Sequence, residues 1–475
     1  MINYGVGLLR TKAVALLLGP SGIGLLGLYN NLQLALVTLA GAGVSFSGVR
    51  EIAKDAEGVN SETTARVAHT VRRISLVLGL LGALAAVALA RPLSAWVFED
   101  ATHAPSVALL GVAVCLLVIS GGQKALVQGC RRIGDLARIQ VLSAVLSTLL
   151  AVGLYAWLGR DGILPVLILT ACCNLSLTWH FSRKIELVAR QVRWKEVFVE
   201  AKPLLGLGLA FMWSMLLMSL VDLFIRSFIL RELGIDSVGI YQAAWAISGL
   251  FASFILNAMG ADFYPRLTAV QTDHPEMVRL INEQTEIGIL LALPGILGTL
   301  AFAPWVMTLL YSAKFTVGAQ LLPWLVLGVF GRVVTWPMGF VFLAKGAKAH
   351  FAAIETVMKI PRVLFVIVLV KEWGLVGAAV AWPINYIIYF CIVYPVTRRM
   401  IEFRYQRSSA LLFLKASSLI VISFISVALL PQVWGTSIAV LALLVGSLFS
   451  LRSLIQCLGP EHRIVRLVRK LPLMG

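Results

Sequence analysis

The amino-acid sequence predicts an all-α integral membrane protein, on the basis of its composition and the length of its apolar runs. The chain has 475 residues, of which 59% are hydrophobic and only 13% are charged, and its mean hydropathy is +0.90. Soluble domains carry about 25% charged residues, so this composition is that of a chain solvated by lipid. The apolar runs are long and continuous rather than alternating, which indicates helices and excludes a transmembrane barrel.

Fourteen apolar segments are long enough to cross a bilayer. A hydrocarbon core about 30 Å thick needs roughly 20 apolar residues per helix. The predicted spans are approximately residues 2–19, 23–47, 72–95, 106–129, 136–158, 161–182, 204–230, 237–260, 286–311, 318–344, 350–370, 374–396, 409–430 and 434–456.

The basic residues orient these spans. With the N-terminus in the cytoplasm, 27 of the 40 Lys and Arg residues fall in inside loops or the C-terminal tail, and 5 fall in outside loops. This positive-inside bias holds at alternate loops and places both termini in the cytoplasm. The net charge of +17 therefore faces anionic lipid, and no nucleic-acid partner is expected.

An internal repeat divides the chain into two halves. "LGPSGIGLL" (residues 18–26) aligns with "LGIDSVGIY" (233–241) at an offset of 215. "LLGVAV" (109–114) aligns with "VLGVFG" (326–331) at an offset of 217, which also matches Gly129 with Gly346. Six spans per repeat predict two parallel six-helix lobes around a central cavity, plus two extra C-terminal helices. The predicted domains are an N-terminal lobe (1–182), a cytoplasmic amphipathic linker (183–203), a C-terminal lobe (204–397), and the extra helices with a basic cytoplasmic tail (398–475).

Eight cations lie inside the predicted spans, whereas one acid, Asp222, is clearly within a span. The cations are Arg10, Lys12, Lys124, Arg226, Arg332, Lys359, Arg362 and Lys415. A charge at the bilayer centre costs about 2.5–3.5 kcal/mol on insertion scales, so such residues usually face a hydrated cavity or a partner. Arg10 and Arg226 lie at nearly the same depth of the first span of each repeat. Because guanidinium groups bind phosphate oxygens bidentately, the excess of cations predicts an anionic substrate head group.

Each of these charges also has a structural explanation. The three lysines Lys12, Lys124 and Lys415 can snorkel to an interface. Asp222 and Arg226 are four residues apart and can pair on one helix. Lys359 and Arg362 share one helix face, which either lines a cavity or packs against a neighbour. The rival explanation for Arg10 is that the first span is shorter than predicted.

The remaining chemistry-bearing residues predict no catalysis and no bound cofactor. The six cysteines and six histidines show neither metal-binding nor disulfide spacing, and no nucleotide-binding loop is present.

Two segments resemble a known transporter family. "LLGPSGIGLLGLYNNLQ" (residues 17–33), followed by "GAGVSFSGVREIAK" (41–54), resembles the start of Wzx-type translocases of O-antigen and other lipid-linked oligosaccharides. "LLPWLVLGVFGRVVTWPMGFVFLAKG" (321–346) resembles the matching segment of their second half. These flippases belong to the multidrug/oligosaccharidyl-lipid/polysaccharide (MOP) exporter superfamily, and span number and repeat agree along almost the whole chain.

The resemblance implies flipping of an undecaprenyl-pyrophosphate-linked oligosaccharide across the bacterial inner membrane, from the cytoplasmic to the periplasmic leaflet. It implies a polysaccharide polymerase and chain-length proteins as partners, and alternating access driven by protons, sodium or the membrane potential. The family's arginine of the first span matches Arg10, and the one after the second span matches Arg50. We expect Arg10, Arg226 and Arg332 to bind pyrophosphate, with help from Lys12, Lys359 and Arg362. The polar residues Asn30, Asn31 and Gln33 are candidates for sugar binding or for helix packing, and Asp222 is the candidate for cation coupling.

Two alternative functions are considered for a membrane protein of this composition. A drug/cation antiporter of the same superfamily would need several buried carboxylates, and the single acid Asp222 argues against it. A membrane-embedded polymerase or glycosyltransferase would need a large outside loop or an acidic catalytic pair, and the sequence has neither.

Overall fold

The computed structural model describes residues 2–54, 62–185, 187 and 194–458, and these residues contain helices and no β-strand. Two 3₁₀ helices, Gly159–Gly162 and Ala313–Gln320, accompany the α-helices. The α-helices are α1 (Ile2–Gly41), α2 (Val44–Lys54), α3 (Glu62–Ala88), α4 (Ala90–Phe98), α5 (Ala104–Gly129), α6 (Ile133–Leu158), α7 (Ile163–Ser182), α8 (Trp194–Leu233), α9 (Ile235–Ala269), α10 (His274–Leu310), α11 (Leu322–Ala344), α12 (Lys348–Val357), α13 (Lys359–Ile401), α14 (Arg407–Leu429) and α15 (Gln432–Leu458).

Within the described residues, ten helical segments are long and apolar enough to span a membrane. Four of them contain a glycine with positive φ that breaks the segment into two arms: Gly19, Gly159, Gly234 and Gly374. Glycine adopts this backbone conformation without the steric penalty that a Cβ atom brings. If each arm crosses once, the total is fourteen, so the predicted number of spans is compatible with these segments and stays a prediction.

The turns recur at a constant offset along the chain. Gly19 and Gly234 have φ angles of 67° and 80°, and they are equivalent at the offset of 215 that the sequence predicts. Gly159 and Gly374 are equivalent at the same offset, with φ and ψ of 58° and −129° in the first and 58° and −139° in the second. The first two of these glycines lie in the predicted repeat, and the second pair extends the repeat to the hairpin of the fifth and sixth predicted spans.

A third turn corrects the second predicted alignment. Arg131 and Gly346 both have positive φ, and they too are equivalent at the offset of 215. The hydrogen bonds match: Arg131 N donates to Gln128 O, and Gly346 N donates to Leu343 O. The expected match of Gly129 with Gly346, at an offset of 217, is therefore wrong at this turn.

The chain folds as two compact units. The first contains the residues up to Ile240 together with Leu310–Ser312, and the second contains Tyr241–Leu309 and the residues from Ala313 onward. In the second unit, α14 and α15 pack on α10 and α11 through apolar side chains that include Leu297, Phe330 and Ile420. Many large hydrophobic side chains stay exposed, mostly Leu, Val, Ile, Phe and Trp, as expected for a surface that lipid covers.

The predicted amphipathic linker, residues 183–203, is described in part. Residues 186 and 188–193 lie outside the described residues, as does most of the predicted basic tail (459–475). The remainder of the linker, from Trp194 to Pro203, forms the first turns of α8 and continues into a predicted span instead of forming a separate helix. This end of α8 packs on α3, where Glu200 accepts a hydrogen bond from Thr70 at 3.0 Å and pairs with Arg66 at 3.3 Å.

Candidate functional site

In the first unit, Arg10 lies on the first arm of α1 and points to α6. Its Nη1 atom is 3.4 Å from Ser147 Oγ, and the side chain is half-buried. Two turns further along α6, the Tyr155 hydroxyl is buried and has no hydrogen-bond partner among the described residues. A guanidinium beside a hydroxyl keeps most of its five N–H donors available for a ligand, since one hydrogen bond occupies a single donor.

The other predicted binding residues near the start of the chain have varied surroundings. Lys12 is half-buried, whereas Asn30 and Arg50 are exposed. Asn31 donates its Nδ2 to Gly27 O at 2.7 Å, and Gln33 is buried. The amide nitrogen of Asn31 is therefore partly used within its own helix.

Arg226 and Asp222 are joined on α8 by a hydrogen bond to the main chain. Arg226 Nη1 donates to the backbone carbonyl of Asp222 at 2.8 Å, and the arginine side chain is only 3% exposed. At the offset shared by the turns, Arg226 corresponds to Thr11 rather than Arg10. One residue of displacement rotates a side chain by about 100° around a helix, so the two arginines do not occupy equivalent faces of their helices.

In the second unit, Arg362 packs against two indole rings. Its guanidinium carbon is 5.3 Å from the ring centroid of Trp245 on α9 and 4.8 Å from that of Trp382 on α13. The two rings meet edge to face at 4.6 Å, and Arg362 is only 4% exposed. Cation–π contacts are worth about 2 kcal/mol or more when desolvated, so the rings stabilise a charge that would otherwise be costly at this depth.

Two tyrosines continue this surface along α13. Tyr386 packs edge to face on Trp382 at 4.8 Å, and Tyr389 follows at 6.0 Å from Tyr386. Because these residues are spaced i, i+4 and i+7, their rings lie on one face of the helix. We call Trp245, Arg362, Trp382, Tyr386 and Tyr389 the aromatic–cation cluster.

Small residues on α11 allow α13 to approach closely enough to form the cluster. A Cβ atom at Gly328 would overlap the Trp382 ring, and one at Gly331 would lie 2.7 Å from Tyr386 Cβ. Neither position tolerates a side chain without moving an aromatic residue. The predicted in-span Arg332, half-buried, follows directly on α11.

Lys359 differs from the predicted arginines because a carboxylate neutralises it. Its Nζ atom is 3.2 Å from Glu355 Oε2, four residues earlier, and both side chains are half-buried. The predicted pair Lys359 and Arg362 is therefore divided, with an ion pair at the first residue and two aromatic rings at the second.

The two units thus each present arginines within apolar helices, and in the second unit Arg362 packs against two indole rings. The predicted cations Arg332, Lys359 and Arg362 lie in one region of α11–α13, and Arg10 lies beside α6. Sequence reasoning missed Trp245 and Trp382. The i, i+4, i+7 spacing of aromatic residues from Trp382 to Tyr389 was the available signal, but core packing gives the same pattern.

This combination of side chains suits binding rather than catalysis. Guanidinium groups bind anions such as phosphate, and aromatic rings provide flat apolar faces next to them. Among the described residues, no group of three or more His, Cys, Asp or Glu side chains could hold a metal ion. The fold and these residues are those of a multi-span membrane transporter with cations inside its predicted spans.

Solved structures identify the fold. The inward-facing conformation of a multidrug resistance MATE transporter of the MOP superfamily superposes with a TM-score of 0.73, at 18% identity, over 84% of this chain and 94% of that one. The lipid II flippase MurJ, in an inward closed conformation, gives a TM-score of 0.59 at 13% identity, over 91% and 98% of the two chains. The fold of this chain is that of these MOP transporters.

The sequence identifies the family. Residues 14–320 match the model of the family described as polysaccharide biosynthesis protein, and the chain belongs to that family. It is 27% identical over 418 residues to a lipid III flippase of Escherichia coli (strain K12), which covers 84% of this chain and 96% of the relative. It is 25% identical over 166 residues to a putative O-antigen transporter of Shigella flexneri, over 35% of this chain and 39% of the relative. The resemblance to Wzx-type flippases is thereby confirmed.

Proposed function

We propose that this protein flips an undecaprenyl-pyrophosphate-linked oligosaccharide from the cytoplasmic to the periplasmic leaflet of the bacterial inner membrane by alternating access. The observation that supports this most directly is the set of arginines within apolar helices: the buried Arg226 and Arg362 and the half-buried Arg10. Its relatives include a lipid III flippase, which it matches along most of its length, and a putative O-antigen transporter.

The arginines would lower the cost of moving a charged head group across the membrane. A pyrophosphate group carries negative charge, and moving it through hydrocarbon unaided would cost many kcal/mol. Guanidinium groups keep their charge when desolvated and donate to phosphate oxygens in fork geometry, which replaces the lost hydration. Arg10, Arg226 and Arg332 would bind the pyrophosphate, with Arg362, Lys12 and Lys359 beside them, and Arg50 would meet it at the membrane surface.

The sugars need a different surface. Trp382, Tyr386 and Tyr389 present apolar faces that suit the carbon–hydrogen faces of sugar rings, and Asn30, Asn31 and Gln33 would donate hydrogen bonds to hydroxyl groups. The undecaprenyl chain would remain in the lipid.

Energy would come from a proton or sodium gradient or from the membrane potential. A potential of 100 mV contributes about 2.3 kcal/mol for each elementary charge moved across the membrane. Asp222 is the candidate carboxylate for cation coupling. Both termini would face the cytoplasm, and a polysaccharide polymerase with its chain-length proteins would use the flipped product.

The test is a flipping assay in proteoliposomes. A fluorescent undecaprenyl-pyrophosphate oligosaccharide is supplied to wild type, to Arg10→Ala and to the matched control Lys415→Ala, which removes an exposed cation lying 5.6 Å from the Phe449 ring. We expect wild type and Lys415→Ala to flip the lipid and folded Arg10→Ala to be impaired. Equal flipping by all three would leave the function standing and make Arg10 structural.

The alternative is a drug/cation antiporter, which the fold shared with multidrug transporters favours. The same vesicles loaded with a cationic dye distinguish the two functions. Dye efflux coupled to a gradient, with no lipid flipping by wild type, would overturn the flippase proposal.

A further inference from the structure

A small cleft lies at the end of the sixth predicted span of each repeat. In the first unit, a cleft of about 420 Å³ at the end of α7 is lined by Ser176, Trp179, His180, Arg183 and Lys184. In the second unit, a cleft of about 410 Å³ near the end of α13 is lined by Tyr394, Pro395, Arg398 and Arg399. The spans in which these clefts lie end at Ser182 and Ile401.

The two clefts are related by the repeat. At the offset shared by the turns, Trp179 corresponds to Tyr394, and His180 corresponds to Pro395. The basic residues correspond in the same way, Arg183 to Arg398 and Lys184 to Arg399. Both clefts thus combine one aromatic ring with two adjacent cations, although the intervening residues differ. We call the paired sites the repeat-end clefts.

The four cations of the repeat-end clefts are exposed, and among the described residues they have no acidic partner. Within the described part of the chain, no carboxylate lies within ion-pair distance of Arg183, Lys184, Arg398 or Arg399. Other basic residues at loop ends are paired: Arg266 with Asp262 at 3.3 Å and Arg279 with Glu276 at 2.6 Å. No described carboxylate therefore competes with an external anion for these four cations.

The position of the clefts at the ends of two candidate spans points to the kind of anion. Aromatic residues are enriched at the level of lipid headgroups, and basic residues at the ends of spans face the anionic cytoplasmic leaflet. Arg183 lies over the Trp179 ring at 5.8 Å, which holds the guanidinium at the mouth of the cleft. We propose that each repeat-end cleft binds the phosphate of an anionic phospholipid, of the phosphatidylglycerol class, in the cytoplasmic leaflet.

A third cleft has a similar volume but lacks the paired cations and the aromatic ring of the repeat-end clefts. About 520 Å³ in volume, it lies between α4 and α5 and is lined by one cation, Arg91, with alanines, a valine and a proline. It has no aromatic ring and no second basic residue, and the sequence predicts it on the periplasmic side. A similar volume without the paired cations and ring should not select an anionic lipid.

The test is lipid binding to the full chain purified in detergent, followed by native mass spectrometry during titration with phosphatidylglycerol. The variants are R183Q with K184Q, R398Q with R399Q, and all four together. The control R91Q with K371Q removes two exposed cations from the predicted opposite surface. Phosphatidylcholine, inorganic phosphate and undecaprenyl phosphate are titrated separately. Unfolding temperatures establish that each variant is folded.

We expect wild type and the control to retain two phosphatidylglycerol molecules. Each double variant should bind one of them about thirtyfold more weakly, because a basic residue at an anionic lipid surface contributes a factor of about five. The fourfold variant should lose both, and high salt should release both from wild type. Unchanged retention by the fourfold variant would overturn the proposal, as would equal retention of phosphatidylcholine. Preference for inorganic phosphate or undecaprenyl phosphate over phosphatidylglycerol would also overturn it.

Discussion

Position 147 of the first repeat and position 362 of the second are equivalent, yet one is a neutral partner of a cation and the other is a cation. Ser147 on α6 is a hydroxyl that accepts a hydrogen bond from Arg10 at 3.4 Å. Arg362, at the equivalent position of α13, is itself the cation and packs against Trp245 and Trp382. The first repeat therefore brings its charge to this helix from α1, whereas the second repeat carries the charge on the helix.

The backbone around these two positions is the same. The turns after them have nearly identical dihedral angles at Gly159 and Gly374. The next glycine of each hairpin, Gly162 and Gly377, faces the carbonyl of the equivalent leucine on the preceding helix, Leu154 or Leu369. The repeat thus preserves the helical hairpins, whereas the side chains proposed to bind substrate differ between its two halves.

The largest expected effect comes from testing the hairpins themselves. A Cβ atom at Gly377 would overlap both atoms of the Leu369 carbonyl, whereas one at Gly162 would lie 2.9 Å from Leu154 O. Gly377→Ala must separate two backbones and should cost ~3 kcal/mol or more, while Gly162→Ala should cost about 1 kcal/mol. Thermal unfolding of the purified variants measures the difference.

Gly249→Ala on α9 is the control for this pair, because no atom lies within 4 Å of the added Cβ. Its unfolding temperature should equal or exceed that of wild type, since alanine favours helix over glycine. Equal destabilisation by Gly162→Ala and Gly377→Ala would show that the two hairpins are packed equally tightly, contrary to the geometry.

The second prediction concerns Arg362. Replacement by alanine removes a buried charge and two cation–π contacts, so we expect flipping in proteoliposomes to fall about a hundredfold. Arg362→Lys keeps the charge but loses the planar group that packs on the indoles. It should recover only part of the activity that Arg362→Ala loses. Full activity of Arg362→Lys would mean that charge alone matters and that the indoles are packing residues.

The third prediction concerns Arg10 and its partner. Arg10 is half-buried and makes one long hydrogen bond where Arg362 packs on two rings, so Arg10→Ala should reduce flipping less, by about tenfold. Ser147→Ala removes one hydrogen bond worth about 1 kcal/mol and leaves the charge, so a loss of about fivefold is expected. If Ser147→Ala equals Arg10→Ala in the same assay, then positioning of Arg10 by α6 matters as much as its charge.

The sequence predicts the class of fold, the repeat and the positions of the cations, because hydropathy, glycine turns and charge are local properties. "LGPSG" and "GRDG" mark the turns at Gly19 and Gly159, and the structure has positive φ at both. What holds each cation is not local. Ser147 on α6 is distant in sequence from Arg10 on α1, and Trp245 lies on α9, four helices before Arg362 on α13. Such contacts follow from helix packing, which span prediction does not contain.

The smallest effect is expected at Lys359, which belongs with Arg332 and Arg362 to the predicted binding cations of the second unit. Glu355 lies 3.2 Å from its Nζ atom and neutralises it, so little positive charge remains for a phosphate. Lys359→Gln should change flipping less than twofold, because a partly exposed ion pair contributes about 0–1 kcal/mol. Glu355→Gln is the informative partner variant. It frees the lysine charge on the helix that carries Arg362 and should alter substrate binding more than Lys359→Gln does. The reverse order in the flipping assay would show that Lys359 binds the substrate directly and that the ion pair opens to allow it.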